Sequence, residues 1–382
     1  MRDAETDNSG RNLLAQWVAR AEHAADRRLL ATLRRRPGWS LTVLPYVGYG
    51  TAVRAHIRAR VLLRRRNPES RTGPAAVLLT AISRYLSVDV PGEAVTVEVS
   101  GEEVRAVSGR EGYVEATLTM PDLAPGWHPV HFALGGDAAS SREGRLVVVD
   151  PAASLGVVSD IDDTVIHTGL TRLMEAVRTT LLVAEHARLP IAGAAELYRG
   201  LVAGDCGRAQ VFYVSTGAWN LHAMLERFLA RHDFPAGPLI MTDWGPGGSW
   251  LFREDSISFK ARVISELLAE HPHLAWVLVG DSGQDDPAAY AAVARAHPGR
   301  IRAIYIRDVP PHTAQHTSRV RRLAAELADR GVPMLLIRDS VAAAEHANDL
   351  GLLDADHLDR VRRAAEADVD TRTTGTAPTR RG

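Results

Sequence analysis

Two carboxylates spaced two residues apart, Asp160 and Asp162, close the apolar run Leu155-Gly-Val-Val-Ser159, and Asp163 and Thr164 follow directly. On an extended strand end, residues i and i+2 point the same way, so both carboxylates face one space. Charges that close repel unless a cation lies between them or one keeps its proton. Either solution is chemically useful: a cation site, or a nucleophile paired with an acid. A purely structural role also exists, because Asp and Thr favour helix N-caps and turns. Further strand-like runs, however, end the same way, in Ser215-Thr216, Thr242-Asp243 and Gly280-Asp281-Ser282. If the strands are parallel, these ends share the edge at which open α/β sheets bind ligands.

Placed beside Asp281, Asp160 and Asp162 would give a hard divalent cation oxygen ligands from two strands. Mg2+ suits such a lean site because it keeps waters and binds through one or two carboxylates plus substrate phosphate. One carboxylate can then attack a phosphoryl group in line while the other manages the leaving-group proton. Asp160 is assigned as nucleophile and Asp162 as general acid and base. Ser215 would hold phosphoryl oxygens, and Lys260 would balance their charge in the transition state. Lys260 is conspicuous because the other 44 of the 45 basic residues are Arg. An ammonium is a compact point charge that fits where a planar guanidinium does not.

These residues resemble the motifs of the haloacid dehalogenase (HAD) superfamily. Asp160-Ile-Asp162-Asp163-Thr164 is similar to its first motif, Ser215 at the end of Val211-Phe-Tyr-Val to its second, Lys260 to its third, and Gly280-Asp281-Ser-Gly-Gln-Asp285-Asp286 to its fourth. In that fourth motif either Asp285 or Asp286 is the second acid, and family spacing favours Asp286. A narrower resemblance covers roughly residues 40–350. It rests on Tyr46-Val-Gly-Tyr-Gly-Thr51, Thr168-Gly-Leu-Thr-Arg172, Phe212-Tyr-Val-Ser215, Trp219-Asn-Leu221, Gly237-Pro238, Asp243-Trp-Gly245, Gly280-Asp-Ser-Gly-Gln284 and Ala303-Ile-Tyr-Ile-Arg307-Asp-Val. By these stretches the chain resembles bacterial members of the actin patch protein family of phosphatidate phosphatases, which are similar in their catalytic motif to the lipins.

The resemblance implies Mg2+-dependent hydrolysis of phosphatidate to diacylglycerol and phosphate through an aspartyl-phosphate. It implies metal ligation by Asp160, Asp162, Asp281 and Asp286, and substrate contacts from Ser215, Thr216, Thr164 and Trp219. Two departures stand out: Gly217-Ala218 replaces the expected Ser-Pro before Trp219, and Phe259 replaces an expected His before Lys260. Competing readings are a HAD phosphatase for a small soluble phosphomonoester and a module that binds phosphatidate without hydrolysing it. The second fits poorly with the retention of both motif-one carboxylates.

The elements that must position these residues follow from periodicity. Apolar runs at 155–159, 211–215, 238–241, 276–279, 301–306 and 333–337 alternate with helix-like stretches, which predicts a doubly wound parallel sheet with helices on both faces over 151–364, and the resemblance implies that it is HAD-like. Between 40 and 150 the period is two, as in Val53, Ala55, Ile57, Ala59 and Val61, with turn signals such as Pro91-Gly92 and Gly135-Gly136, so a small antiparallel β-sandwich is expected. Residues 1–39 read as a disordered start followed by an amphipathic, Arg-rich helix from Asn12 to Arg36, and 365–382 as a disordered tail.

At 382 residues and 46% apolar content the chain can build two cores, and its net charge of −1 is unevenly spread, with fifteen Arg against six Asp or Glu in residues 1–71. That asymmetry points to an anionic partner for the N-terminal part, read as a membrane surface and not nucleic acid, or else to a solvated face. A glycine-rich loop carrying Trp244, Trp250 and Phe252 could insert at a lipid interface or pack as a lid. Cys206 is the single cysteine, so no intrachain disulfide can form. The polar N-terminus is unlike a signal peptide, and no apolar run reaches 18 residues, so the expected place is the cytoplasm, with peripheral docking on the inner face of the membrane.

Overall fold

The computed structural model describes residues 30–65, 87–109, 111–136, 140–161, 164–165, 191–242, 255–309 and 314–374. Asp162, Asp163, the Thr168–Arg172 stretch, Asp243, Trp244, Trp250 and Phe252 lie outside them.

The second half of the chain is a parallel six-stranded sheet. Its strands are β10 (Leu155–Ser159), β11 (Gln210–Ala218), β12 (Leu239–Thr242), β13 (Ala275–Asp281), β14 (Ile301–Arg307) and β15 (Met334–Ile337), in the order β12-β11-β10-β13-β14-β15. All five neighbouring pairs are parallel. The chain therefore starts in the middle with β10, moves outward through β11 and β12, then returns to β13 on the other side. The β10–β13 boundary is a topological switch point, where the crossovers diverge and leave a crevice at the carboxyl ends.

Strands buried on both faces need apolar residues throughout, and all five residues of β10 are buried. Two cores result. One face packs on α1 (Ala194–Gly204), α2 (His222–Arg231), α6 (Ser340–Asp349) and α7 (Ala355–Thr374); the other packs on α3 (Ser256–Glu270), α4 (Asp286–Ala296) and α5 (Ala314–Ala328). Helix α7 runs to Thr374, so residues 365–374 are helical where a disordered tail was expected. The reason is local, since Ala364-Ala365-Glu366-Ala367 continues the good helix formers of α7 before the Thr-rich end.

Among the described residues the first half supplies nine strands: β1 (Trp39–Pro45), β2 (Gly48–Thr51), β3 (Arg54–Arg65), β4 (Ser87–Asp89), β5 (Ala94–Val99), β6 (Glu102–Val107), β7 (Tyr113–Thr119), β8 (Gly126–Leu134) and β9 (Arg142–Val148). They are hydrogen-bonded into one sheet, antiparallel except where β2 runs parallel to β9. The twelve-residue β3 is its spine, pairing with β1, β2, β4 and β7. Alternate residues of most of these strands, among them Val43, Ile57, Val61, Val97, Phe132 and Leu146, enclose a third core. Residues 30–34 are helical, and Leu30 and Leu33 are buried in that core, so this end of the expected basic helix packs on the protein itself. Its remainder lies outside the described residues.

The two halves share side chains. Tyr46 belongs to the core facing α1 and α2, while Val149 and Ala153 enter the core facing α3. Tyr49 meets Phe212 edge-on at 5.7 Å. Glu270, at the end of α3, accepts from Arg54 at 3.3 Å and lies 3.3 Å from His56 Nε2.

Candidate active site

Asp160 follows β10 directly, and its backbone N–H donates to the carbonyl of Val279 at 2.9 Å, which continues the β10–β13 ladder by one rung. Its carbonyl accepts from the Ser159 hydroxyl at 2.6 Å, and Ser159 Oγ lies 2.6 Å from the Tyr198 hydroxyl. Ser has one hydrogen to give, so Tyr198 is the donor to Ser159. Burial pushes the Tyr198 phenol well above its usual range and keeps it a donor. This chain from α1 fixes the backbone of the nucleophile candidate.

Lys260 is brought in by α3, whose N-cap Asp255 accepts from Ser258 N–H at 3.0 Å. The buried stripe of α3 is Phe259, Lys260, Val263, Ile264, Leu267 and Leu268, so an ammonium occupies a position that helical periodicity assigns to an apolar side chain. It is 1% exposed and donates to Asp160 Oδ1 at 2.8 Å and to Asp286 Oδ1. Burial alone would lower its pKa, but the facing Asp160 and Asp286 carboxylates reverse the direction and hold it well above the usual lysine value.

Asp286 opens α4, where the free N–H groups of a helix start favour a carboxylate. Its Oδ2 accepts from the Asp281 N–H at 3.1 Å. Asp281 ends β13, and its Oδ1 accepts from Gly283 at 2.6 Å and Gln284 at 3.0 Å. Gly280 is required for this approach. A Cβ there would lie 2.5 Å from Asp286 Oδ2 and 2.8 Å from both Asp286 Cβ and Tyr290 Cε2. Asp160, Asp281 and Asp286 are all buried, and carboxylate oxygens from the three lie within 4.8 Å of one another. The donor set is all oxygen and more negative than the one Lys260 ammonium offsets, which fits a hard divalent cation such as Mg2+. Between the two acids left open by the fourth motif, Asp286 is the buried one in contact with Lys260, while Asp285 is the N-cap residue of α4 and its side chain makes no cap hydrogen bond.

On the neighbouring strand the register with β12 shifts between Ser215 and Ala218, so Thr216 and Gly217 bulge out of the ladder. Bulges at strand ends are a common way to aim groups into a site. Ser215 Oγ accepts from Gly217 N–H at 2.9 Å, and the Thr242 hydroxyl donates to Thr216 C=O at 2.8 Å and Gly217 C=O at 3.3 Å. Ser215 is fully buried, and Thr216 nearly so.

Of the remaining expected site residues, Asp162 lies outside the described residues. Thr164 is buried just beyond Asp160. Trp219 is 5% exposed and packs within an aromatic group, its ring stacked on Tyr46 at 4.5 Å. Phe259 is buried in the α3 core. Sequence reasoning gave no role to Ser159, Tyr198 or Gly280. Of these only Gly280 carried a signal, since a glycine inside an apolar strand marks a close approach.

Residues 155–308 match the family model of the catalytic domain of phosphatidate phosphatase APP1. The chain is 30% identical over 194 residues to Phosphatidate phosphatase APP1 of Saccharomyces cerevisiae, covering 49% of this chain and 32% of that protein. It is 29% identical over 155 residues to an uncharacterized protein of Schizosaccharomyces pombe, covering 41% of this chain and 25% of that protein. The chain thus spans about a third or less of the length of these curated relatives. Among solved structures, that of DsGPDH of Dunaliella salina aligns with a TM-score of 0.30 at 17% identity, over 47% of this chain and 37% of that one. The matched residues, 155–308, span the strands and helices that build the carboxylate cluster, so over this stretch the chain is similar to the APP1 catalytic domain.

Proposed function

We propose that this protein is a Mg2+-dependent phosphatidate phosphatase of the HAD type, working through an aspartyl-phosphate at Asp160. The observation that carries the reading is the buried contact of Lys260 with Asp160, 2.8 Å long, beside Asp281 and Asp286 at the switch point of the sheet. At that distance the attraction is about 6 kcal/mol for an effective dielectric of ~20. Desolvation costs several kcal/mol for each buried ion. The two are of similar size, so stability does not explain why four charges are kept here, and chemistry does.

Asp160, Asp281 and Asp286 would hold the cation, together with Asp162 from outside the described residues. When bound, Mg2+ supplies positive charge that offsets the phosphoryl oxygens and the carboxylates at once. Asp160 then attacks phosphorus in line, forming a carboxylate–phosphorus bond as the bond to the glycerol oxygen breaks. Asp162 gives that oxygen its proton. It next takes a proton from water, which attacks the acyl phosphate, releases phosphate and restores Asp160. Lys260 orients Asp160 through Oδ1 and offsets transition-state charge, while Ser215 and Thr216 contact the phosphoryl oxygens. In this reading the substrate is met at the surface of an anionic membrane, to which the Arg excess of residues 1–71 would be drawn.

The test is phosphate release from phosphatidate in Triton micelles with and without Mg2+, for wild type and Asp160→Asn. Metal-dependent release that disappears in the variant is expected. Full activity in Asp160→Asn would overturn the mechanism, and release from water-soluble esters but not from phosphatidate would overturn the substrate.

A further inference from the structure

The stretch Tyr46-Val-Gly-Tyr-Gly-Thr51 lies outside residues 155–308 and contributes nothing to the carboxylate cluster, yet it is among the most tightly built parts of the molecule. A Cβ on Gly48 would lie 2.7 Å from the His56 carbonyl, and one on Gly50 would lie 2.1 Å from the Arg54 carbonyl. Tyr46 N–H donates to Arg58 C=O at 3.0 Å. The backbone of β2 and its lead-in is therefore pressed onto β3, and Tyr46 leaves its own sheet to enter the core of the other half, 3% exposed.

There its ring stacks on Trp219, with centroids 4.5 Å apart and planes 28° apart, and packs on His222 at 4.3 Å. Trp219 and His222 stack on each other at 5.6 Å. Tyr113 adds a ring contact to Trp219 at 5.9 Å, and the Arg58 guanidinium lies 5.9 Å from the same ring. Trp219 is the residue immediately after β11, so this group grips the chain one residue beyond the bulged Ser215–Ala218 segment. The other end of that segment is tied by Thr242 and by Ser215 itself. Two restraints come from the parallel-sheet half, and the third comes from the N-terminal sheet.

We propose that Tyr46 is a positioning residue for the phosphate-binding segment Ser215–Ala218, acting through Trp219, so that the N-terminal sheet is part of the working enzyme. The inference rests on the reading above for the role of Ser215 and Thr216. Segments outside the ladder need such support, because a misplacement of about 1 Å in a site costs on the order of a hundredfold in rate. Aromatic pairs of this kind shift a local equilibrium by a few-fold to about tenfold.

The experiment compares full-length wild type, Tyr46→Ala, Tyr46→Phe and Tyr49→Ala. Tyr49 serves as the control because it bridges the same two halves through Phe212 without touching Trp219. Two readouts are taken: amide hydrogen exchange of residues 215–221, and kcat and KM on phosphatidate micelles. In Tyr46→Ala, exchange at 215–221 should rise about tenfold more than in β13, and kcat should fall about tenfold. Tyr46→Phe should restore both, and Tyr49→Ala should leave both near wild type. Unchanged exchange at 215–221, a rise spread equally over the sheet, or the same effect from Tyr49→Ala would each overturn the proposal. Should Tyr46→Ala fail to fold, Tyr46→Leu keeps apolar bulk without the ring and decides by the same readouts. A wild type without phosphatase activity would sink the proposed function, whereas the exchange comparison would still decide the role of Tyr46.

Discussion

Two clusters at the carboxyl edge of the parallel sheet are buried to a similar degree and are built from opposite materials. One is Lys260 with Asp160, Asp281 and Asp286; the other is Trp219 with Tyr46 and His222. The first gathers charges whose mutual attraction is offset by desolvation, and replacing such a group by apolar residues is often neutral or stabilising. The second gathers rings whose burial is favourable in itself, and it keeps His222 neutral by burial, with its pKa lowered to about 3. The charged cluster is expensive and local to residues 160–286, whereas the aromatic one is stabilising and draws on both halves of the chain. In the proposed function the two divide the tasks: the costly part would perform the chemistry, and the stabilising part would hold the segment that meets it.

The sharpest way to break the contrast is to remove the ammonium. Lys260→Met should abolish turnover and lower stability by about 3–5 kcal/mol, because it leaves buried carboxylates without their partner. Denaturant unfolding of the metal-free protein checks this, and a variant as stable as wild type would show that the Lys260 contacts with Asp160 and Asp286 contribute nothing to the fold. The two candidate acids of the fourth motif are separated next. Asp286→Asn should cost on the order of a hundredfold in kcat/KM, while Asp285→Asn should stay within a few-fold of wild type; the reverse ranking would mean that the contact between Lys260 and Asp286 is not the working one.

The effect expected in the aromatic cluster vanishes at neutral pH and is read against pH. Folding holds the His222 pKa below its unfolded value of about 6.5, so its contribution is fully present above about pH 6.5 and is lost as pH falls toward 3. His222→Phe keeps a ring and removes the titration. Its stability should fall less steeply than that of wild type across this window, by up to about 1.4 kcal/mol per pH unit. Parallel curves would place the His222 ring in contact with solvent.

Much of the candidate site was legible in the sequence. The six apolar runs between 155 and 337 coincide with the six parallel strands to within one to three residues, because strands buried on both faces carry unbroken apolar runs that turn residues delimit. Asp160 and Asp281 were legible as carboxylates at strand ends and Lys260 as the single lysine, while Asp286 was favoured over Asp285 only by family spacing. Trp219 was legible as important, but its partner was not. It was read as a substrate contact, and its ring is covered by Tyr46, some 170 residues earlier in the chain.

The sequence by itself determined the alternation of elements, the carboxylates at their ends and the motif order, since these depend on periodicity and on residue type at fixed spacing. Tertiary structure decided which acid of the Asp285-Asp286 pair meets Lys260, since neighbours in sequence differ only in the direction in which the start of α4 sends them. It also decided that Gly280 makes room for Asp286, that Tyr198 supports Asp160 through Ser159, and that the N-terminal sheet reaches the Ser215 segment through one aromatic ring. Each of these is a contact between residues far apart in the chain, set by strand order and helix packing, and no local pattern encodes such a distance.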